Sequence, residues 1–319
     1  MNDKVVDHRD PWVCVVAPSS ILMVEIEPAQ GAAAPAPNAE IHVHAGGQGL
    51  WVAAMANALG ARVSVCGPFG GETGGILQHL ARADGLEVTA LDYAEGSAAL
   101  VHDRRGGERR EVATMPSQPL RRHETDEFFG AALVAGTEAD VCVLTGAQPP
   151  GILASGFFRR LAHDLVVGGA RVVADLASDA ALQVAAEHPT LLKMAHDEVI
   201  EAGLAEDTVD SLHTAARQLV AQGVETMVVS RADEPTLVVR GDGAWLVRTP
   251  PLSTVDPRGA GDSMTAGMSV GIGRGLPVLE AVRLGAAAGT LNVTRRGLGT
   301  GRRTEIERFA AQVEIKELS

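Results

Sequence analysis

A series of short, Val-rich apolar runs, each next to a helix-length segment of mixed polarity, constrains this chain more than any other feature. Val13–Ala17 opens the series, and Arg62–Cys66 follows a helical pattern over Gly49–Leu59. Glu87–Leu91 follows Gly75–Ala83, Val141–Thr145 precedes Ile152–Val167, and Arg171–Asp175 precedes Ala180–Glu187. Thr226–Ser230 follows Thr208–Gln222. Runs this short and apolar are strands buried on both faces, and the intervening helices supply the crossovers that parallel pairing needs. The expected class is therefore α/β, with a central, mainly parallel sheet between helical layers.

Two regions break the rhythm. Leu22–Glu27 and Ile41–Ala45 alternate apolar and polar residues on either side of the Ala/Pro-rich segment Pro28–Pro37. Ala98–His102 and Arg109–Ala113 flank the turn residues 103–108 and read as a hairpin. Alternation gives a strand one wet face, which does not suit a doubly covered sheet. These segments, drawn from about 21–45 and 97–114, are expected to form a small accessory β-sheet, a lid over the active site of one domain spanning 1–319.

Only 3% of the residues are aromatic, so the core must be built from Ala, Val and Leu. A net charge of −13 without a basic block, and few rings to stack on bases, argue against a nucleic-acid partner. Arg104-Arg105, Arg109-Arg110 and Arg121-Arg122 read as solvated turns and helix ends. No apolar stretch approaches the length of a membrane span. The polar stretch from Met1 to Pro11 has no leader pattern, and Cys14, Cys66 and Cys142 lie in strand-like runs as reduced core residues. The expected compartment is the cytoplasm.

Chemistry concentrates in Asp256-Pro257-Arg258-Gly259-Ala260-Gly261-Asp262-Ser263, which leads into a helix expected over Met264–Ile272. Glycine-freed N–H groups at a helix N-terminus attract phosphate, and a carboxylate beside them can take a proton from a hydroxyl. Together these are the requirements of phosphoryl transfer to an alcohol. Asp262 also fits the plainer role of helix cap. Ala45-Gly46-Gly47-Gln48-Gly49 is a second glycine turn before a helix. It is not a dinucleotide fingerprint, since Val52 stands where a third small residue belongs, and no P-loop G-K-[ST] occurs. Thr145–Gly151 is a third strand-to-helix loop of the kind that lines a ligand crevice. Lys193 and Glu198, after the strand-like Thr190–Leu192, suit phosphate and Mg²⁺, or else a solvated surface pair. His42 and His44 share one face of a strand, a two-ligand pattern without the supporting Asp or Cys of a metal site.

Taken in order, these segments resemble the PfkB family of carbohydrate kinases, of the ribokinase superfamily, over nearly the whole chain. The D-x-x-G-A-G-D signature at Asp256–Asp262 is specific. The Gly46–Gly49 loop, Val63–Gly70, Thr145–Gly151, Leu192–Glu198, Thr226–Val239 and Ala281–Val293 support it by their order. The likeness is greatest to the branch that phosphorylates fructose 1-phosphate, fructose 6-phosphate and tagatose 6-phosphate.

The resemblance implies a ribokinase-like αβα fold with a lid sheet and an ATP- and Mg²⁺-dependent phosphotransferase acting on a sugar or sugar phosphate. It makes Asp262 the base and the N–H groups of Gly259, Ala260 and Gly261 the anion hole. Lys193 and Ser230 would lie near the ATP phosphates, with Glu198 in the Mg²⁺ shell. Gly46, Gly47, Gln48, Trp51, His44 and Asp256 would line the acceptor site. Family members commonly dimerise through the lid, so a homodimer is implied.

The departures fall on the sugar side. The branch's N-P-A-x-D reads Ala17-Pro18-Ser19-Ser20-Ile21, and its G-G-K-G-x-N has Gln48 and Trp51 for Lys and Asn. Ser97-Ala98 stands where a phosphate-binding T-R pair is usual, and K-P-N-x-x-E loses its Asn to Ala195. Each lost partner of a sugar hydroxyl or phosphate costs about 1–3 kcal/mol. The pattern implies a different acceptor, or compensation by residues such as His42, His44 and Arg104. A non-catalytic sugar or nucleotide sensor on the same fold is the alternative from another class. A metal-dependent hydrolase built on His42 and His44 ranks last, because it leaves Asp256–Asp262 unused.

Overall fold

The computed structural model describes residues 10–29, 39–295 and 297–318. The polar start of the chain and most of the Ala/Pro-rich connection lie outside the described residues. The large sheet contains β1 (Trp12–Val16), β4 (Arg62–Pro68), β5 (Glu87–Leu91), β8 (Val141–Thr145), β9 (Val172–Asp175), β10 (Leu191–Ala195) and β11 (Thr226–Arg231). It continues through β12 (Glu234–Arg240), β13 (Gly243–Arg248) and β14 (Glu314–Glu317), in the order β14-β13-β12-β11-β10-β9-β8-β1-β4-β5. From β11 to β5 every pairing is parallel, and the other three strands add an antiparallel edge. That edge was not anticipated, although Gly241-Asp242-Gly243 marks its hairpin turn.

The second sheet has the order β3-β2-β6-β7, with β2 (Ile21–Pro28), β3 (Ala39–Gly46), β6 (Ala98–Asp103) and β7 (Arg110–Met115). Its strands coincide with the two regions of alternating polarity. β2 and β6 are parallel, and β6 and β7 form the hairpin.

One face of the large sheet carries α1 (Gln48–Ala58), α2 (Gly71–Ala83), α8 (Ala260–Gly273), α9 (Val278–Asn292) and α10 (Arg303–Ala310). The other carries α3 (Arg122–Glu138), α4 (Phe157–Val167), α5 (Ser178–Ala185), α6 (His196–Glu201) and α7 (Val209–Gln222). β1 and β8, covered on both sides, are apolar except for Thr145, whose hydroxyl donates to Val16 O, as expected for inner strands of a three-layer fold. The three cysteines are free and buried. No helix among the described residues is long and apolar enough to cross a membrane.

Several helix starts differ from the sequence expectation, α2 at Gly71 rather than Gly75 among them. α4 begins at Phe157 rather than Ile152, because Gly156 takes a left-handed conformation (φ 78°) and the residues before it form a turn. α8 begins at Ala260, four residues before the expected Met264, which puts Asp262 inside the first turn.

α8 and α9 approach through glycines. A methyl group on Gly267 would lie 2.7 Å from Gly285 Cα and 2.9 Å from Leu284 O. Gly267→Val is therefore expected to destabilise the protein by about 2–3 kcal/mol, since backbone on the facing helix cannot give way as a side chain can. A lowered urea midpoint with unchanged slope is the measurement.

Candidate active site

The C-terminal ends of β9 and β10 meet the N-terminus of α8. Asp175 closes β9 in direct register with Lys193 of β10. Its carboxylate accepts from Lys193 Nζ at 3.0 and 3.1 Å and from Thr265 Oγ1 of α8 at 2.6 Å. Asp175, Lys193 and Thr265 are all buried. Lys193 thus lies within a strand and under the glycine turn, not after the strand or on the surface. A methyl group on Gly261 would come within 2.8 Å of its Nζ, so a larger residue would have to displace the ammonium that Asp175 holds. Burial works against the Lys193 charge, but the carboxylates of Asp175, Asp262 and Glu198 outweigh it and shift the amine upward.

The helix cap of α8 is Gly259, left-handed at φ 71°, with no side-chain capping bond. Asp262 is therefore not the cap. Its carboxyl is pushed up to about 7, by burial first and then by the charge of Asp175, with Lys193 opposing. The first-turn N–H groups of Ala260, Gly261 and Asp262 have no intrahelical carbonyl partner and open beside that carboxylate. The turn is braced from behind by the end of α9. Asn292 Nδ2 donates to Arg258 O at 2.8 Å, and the N–H groups of Val255 and Asp256 donate to Val293 O at 2.7 and 3.1 Å.

Glu198, half-buried in the first turn of α6, accepts the Ala195 N–H through Oε2 at 2.7 Å. Burial raises its pKa, with the Ala195 bond and Lys193 opposing. Ser230 stands at the end of β11, opposite Ala195 in register.

Among the residues expected to line an acceptor site, Gly47 caps α1, and a methyl group there would lie 2.8 Å from Ser19 O. Gln48 is tied into the scaffold: its Oε1 accepts the Gly146 N–H at 2.7 Å, and Nε2 donates to Asp175 O at 3.2 Å. It thereby joins the ends of β8 and β9. His44, Trp51 and Asp256 line a cleft of about 700 Å³ between the small sheet and α1, whereas Gly46, Gly47, Gln48 and Asp262 are not in its wall. His42 and His44 stack at 6.2 Å, and His42 lies 3.5 Å from Glu40. Among the described residues no group of three His, Cys, Asp or Glu side chains is placed to hold a metal.

Two arginines expected in solvated turns are instead half-buried. Arg104 Nη1 lies 3.5 Å from Glu25 and 3.8 Å from Glu27, and Arg109 Nη2 lies 3.5 Å from Glu25 and 2.8 Å from His102 Nδ1. Burial depresses the Arg109 guanidinium, with Glu25 opposing. Asp256 is clasped by Arg258, and burial raises its carboxyl against the influence of Arg109 and Arg104. Sequence reasoning missed Asp175, Thr265, Asn292, Glu25 and Arg109. Asp175 had a readable signal, an acid ending an otherwise apolar strand.

The pfkB family carbohydrate kinase model matches residues 15–305. The chain is 29% identical over 256 residues to 1-phosphofructokinase of Bacillus subtilis, covering 80% of this chain and 83% of that one. It is 30% identical over 271 residues to ATP-dependent 6-phosphofructokinase isozyme 2 of Mycobacterium tuberculosis, covering 83% and 78%. The crystal structure of phosphofructokinase-2 from Escherichia coli in complex with potassium superposes with a TM-score of 0.82, at 23% identity over 94% of this chain and 98% of that one. With a family match over most of its length, the chain belongs to the pfkB family of carbohydrate kinases.

Proposed function

We propose that this kinase transfers the γ-phosphate of ATP to a hydroxyl of a sugar or sugar phosphate, with Asp262 as the base. One observation carries the reading. Asp262 is a carboxylate raised to about 7, set in a turn of free N–H groups above a buried ammonium. At that value it is poised to accept a hydroxyl proton near neutral pH. The N–H groups of Gly259, Ala260 and Gly261 face the charge that develops on the transferring group, and Lys193 adds a fixed positive charge beneath them. A pure sensor has no use for a carboxylate whose ionisation is this costly.

The glycine turn, set over the Lys193 ammonium, fits a nucleotide's terminal phosphate, and the half-buried Glu198 fits a water-bridged Mg²⁺. Bound there, the ion would screen the phosphate charge. Lys193, within β10, and Ser230, at the end of the adjacent β11, would flank the phosphates. The small sheet would close over the acceptor as a lid.

The test is ADP release from Mg-ATP across hexoses, pentoses, hexose monophosphates and nucleosides, with Asp262→Asn as the blank. Acceptor-dependent release that the variant loses supports the reading. ATP binding without release for any acceptor would favour the sensor.

The face of the small sheet opposite His42 and His44 supports a homodimer through the lid. Ile41 is 66% exposed there, and Met115 is exposed on β7. Ile41→Glu is expected to shift the protein towards monomer in sedimentation, because a charge on a buried apolar face is costly.

A further inference from the structure

The cleft between the small sheet and α1 has a charge balance that bears on what it accepts. Its wall carries the carboxylates of Glu25, Glu27, Asp84 and Asp256 against the guanidiniums of Arg104 and Arg258, with the imidazoles of His42 and His44 beside them. Neither guanidinium is free. Arg104 is shared between Glu25 at 3.5 Å and Glu27 at 3.8 Å, and Arg258 is clasped by Asp256. Arg109, behind the wall, is held by the same Glu25 at 3.5 Å and by His102. A phosphate dianion entering here would meet positive charges already neutralised and carboxylates that repel it. A neutral polyol meets the opposite situation. Carboxylates accept from hydroxyls, guanidiniums donate to them, and Trp51, Leu50 and Ala54 offer an apolar surface to a ring face.

We propose that Glu25 determines acceptor specificity, and that by neutralising Arg104 and Arg109 together it selects a sugar carrying no phosphate group. This rests on the reading of the cleft as the acceptor site of a kinase. Glu25 suits the task by position. It lies at the middle of β2, in register with His42 on one side and His102 on the other, so its side chain reaches both arginines of the adjoining hairpin.

The experiment has two arms. In the first, kcat/KM is measured for matched pairs: fructose against its 1- and 6-phosphates, tagatose against tagatose 6-phosphate, and ribose against ribose 5-phosphate. The wild type is expected to favour the unphosphorylated member at least tenfold, and Glu25→Gln to move that ratio at least tenfold towards the phosphate ester. A wild-type preference for the esters overturns the inference while leaving the kinase reading intact.

The second arm does not depend on turnover, so it still decides if every acceptor is silent and the kinase reading itself is at fault. Inorganic phosphate is titrated against wild type, Glu25→Gln, and each protein with Arg104→Met added. Sensitivity to Arg104→Met assigns binding to this cleft rather than to the glycine turn. Arg104-dependent binding that is at least tenfold tighter in Glu25→Gln supports the inference. Tight, Arg104-dependent binding in the wild type, or no gain in Glu25→Gln, overturns it.

Discussion

Asp262→Asn is expected to lower kcat by about a thousandfold, within the range that a positioned general base contributes, while ATP affinity stays close to wild type. The side chain is isosteric and caps nothing, so α8 should form as before. The pH dependence supplies an independent check. With the carboxyl at about 7, wild-type kcat should fall as the pH drops below 7, because the protonated acid cannot accept the hydroxyl proton. The remaining activity of the variant should lack that limb.

Stability should move the other way. The folded-state pKa is raised above the unfolded value, so the native protein holds this proton more tightly than the unfolded chain does. The cost of ionising Asp262 is absent below about pH 4, grows between there and 7, and is complete above 7. At pH 8 the asparagine variant should therefore be more stable than wild type, by on the order of 2 kcal/mol. An inactive variant that unfolds at a lower temperature than wild type at pH 8 would mean the substitution damaged the fold.

The second large effect concerns the buried pair beneath the turn. Asp175→Ala strands the Lys193 ammonium without its hydrogen-bonded partner and leaves the Thr265 hydroxyl only its longer bond to Gly261 O. Breaking such a pair from one side costs about 3–5 kcal/mol, far more than an exposed salt bridge. Turnover should be lost as well, since the charge under Gly261 is no longer held in place. The double variant Asp175→Leu, Lys193→Met separates the two roles. Replacing both charges by apolar groups is often neutral for stability, so the unfolding midpoint should recover while activity stays absent. Recovery of activity in the double variant would show that the pair serves only the fold.

The layered core was legible because the inner strands leave no alternative. A run such as Val141–Leu144, apolar at every position, can only be buried on both faces. Alternation likewise separated the small sheet from the large one. Helix starts were less legible, because they depend on backbone conformation at Gly156 and Gly259 rather than on the apolar pattern. The antiparallel edge was overlooked where one short hairpin turn carried the signal.

Within the site, Asp262 and the glycine turn could be read because consecutive residues define them. Asp175, Lys193 and Thr265 come from three separate segments, and only strand register brings them together. The misplacement of Arg104 and Arg109 has the same origin. Paired arginines beside Gly106-Gly107 look like a solvated turn until Glu25, from a strand far earlier in the chain, is seen between them.

The four strands of the small sheet take their backbone partners from one another, and none pairs with a strand of the large sheet. On the proposed placement of the acceptor, the residues that face it from this sheet can therefore change without shifting the register that places Asp175, Lys193 and the glycine turn. On that reading, acceptor choice and phosphoryl transfer are separable within the fold. This also makes the lid a natural unit for engineering: grafting another kinase's four strands onto this scaffold should carry over acceptor preference and leave the chemistry in place.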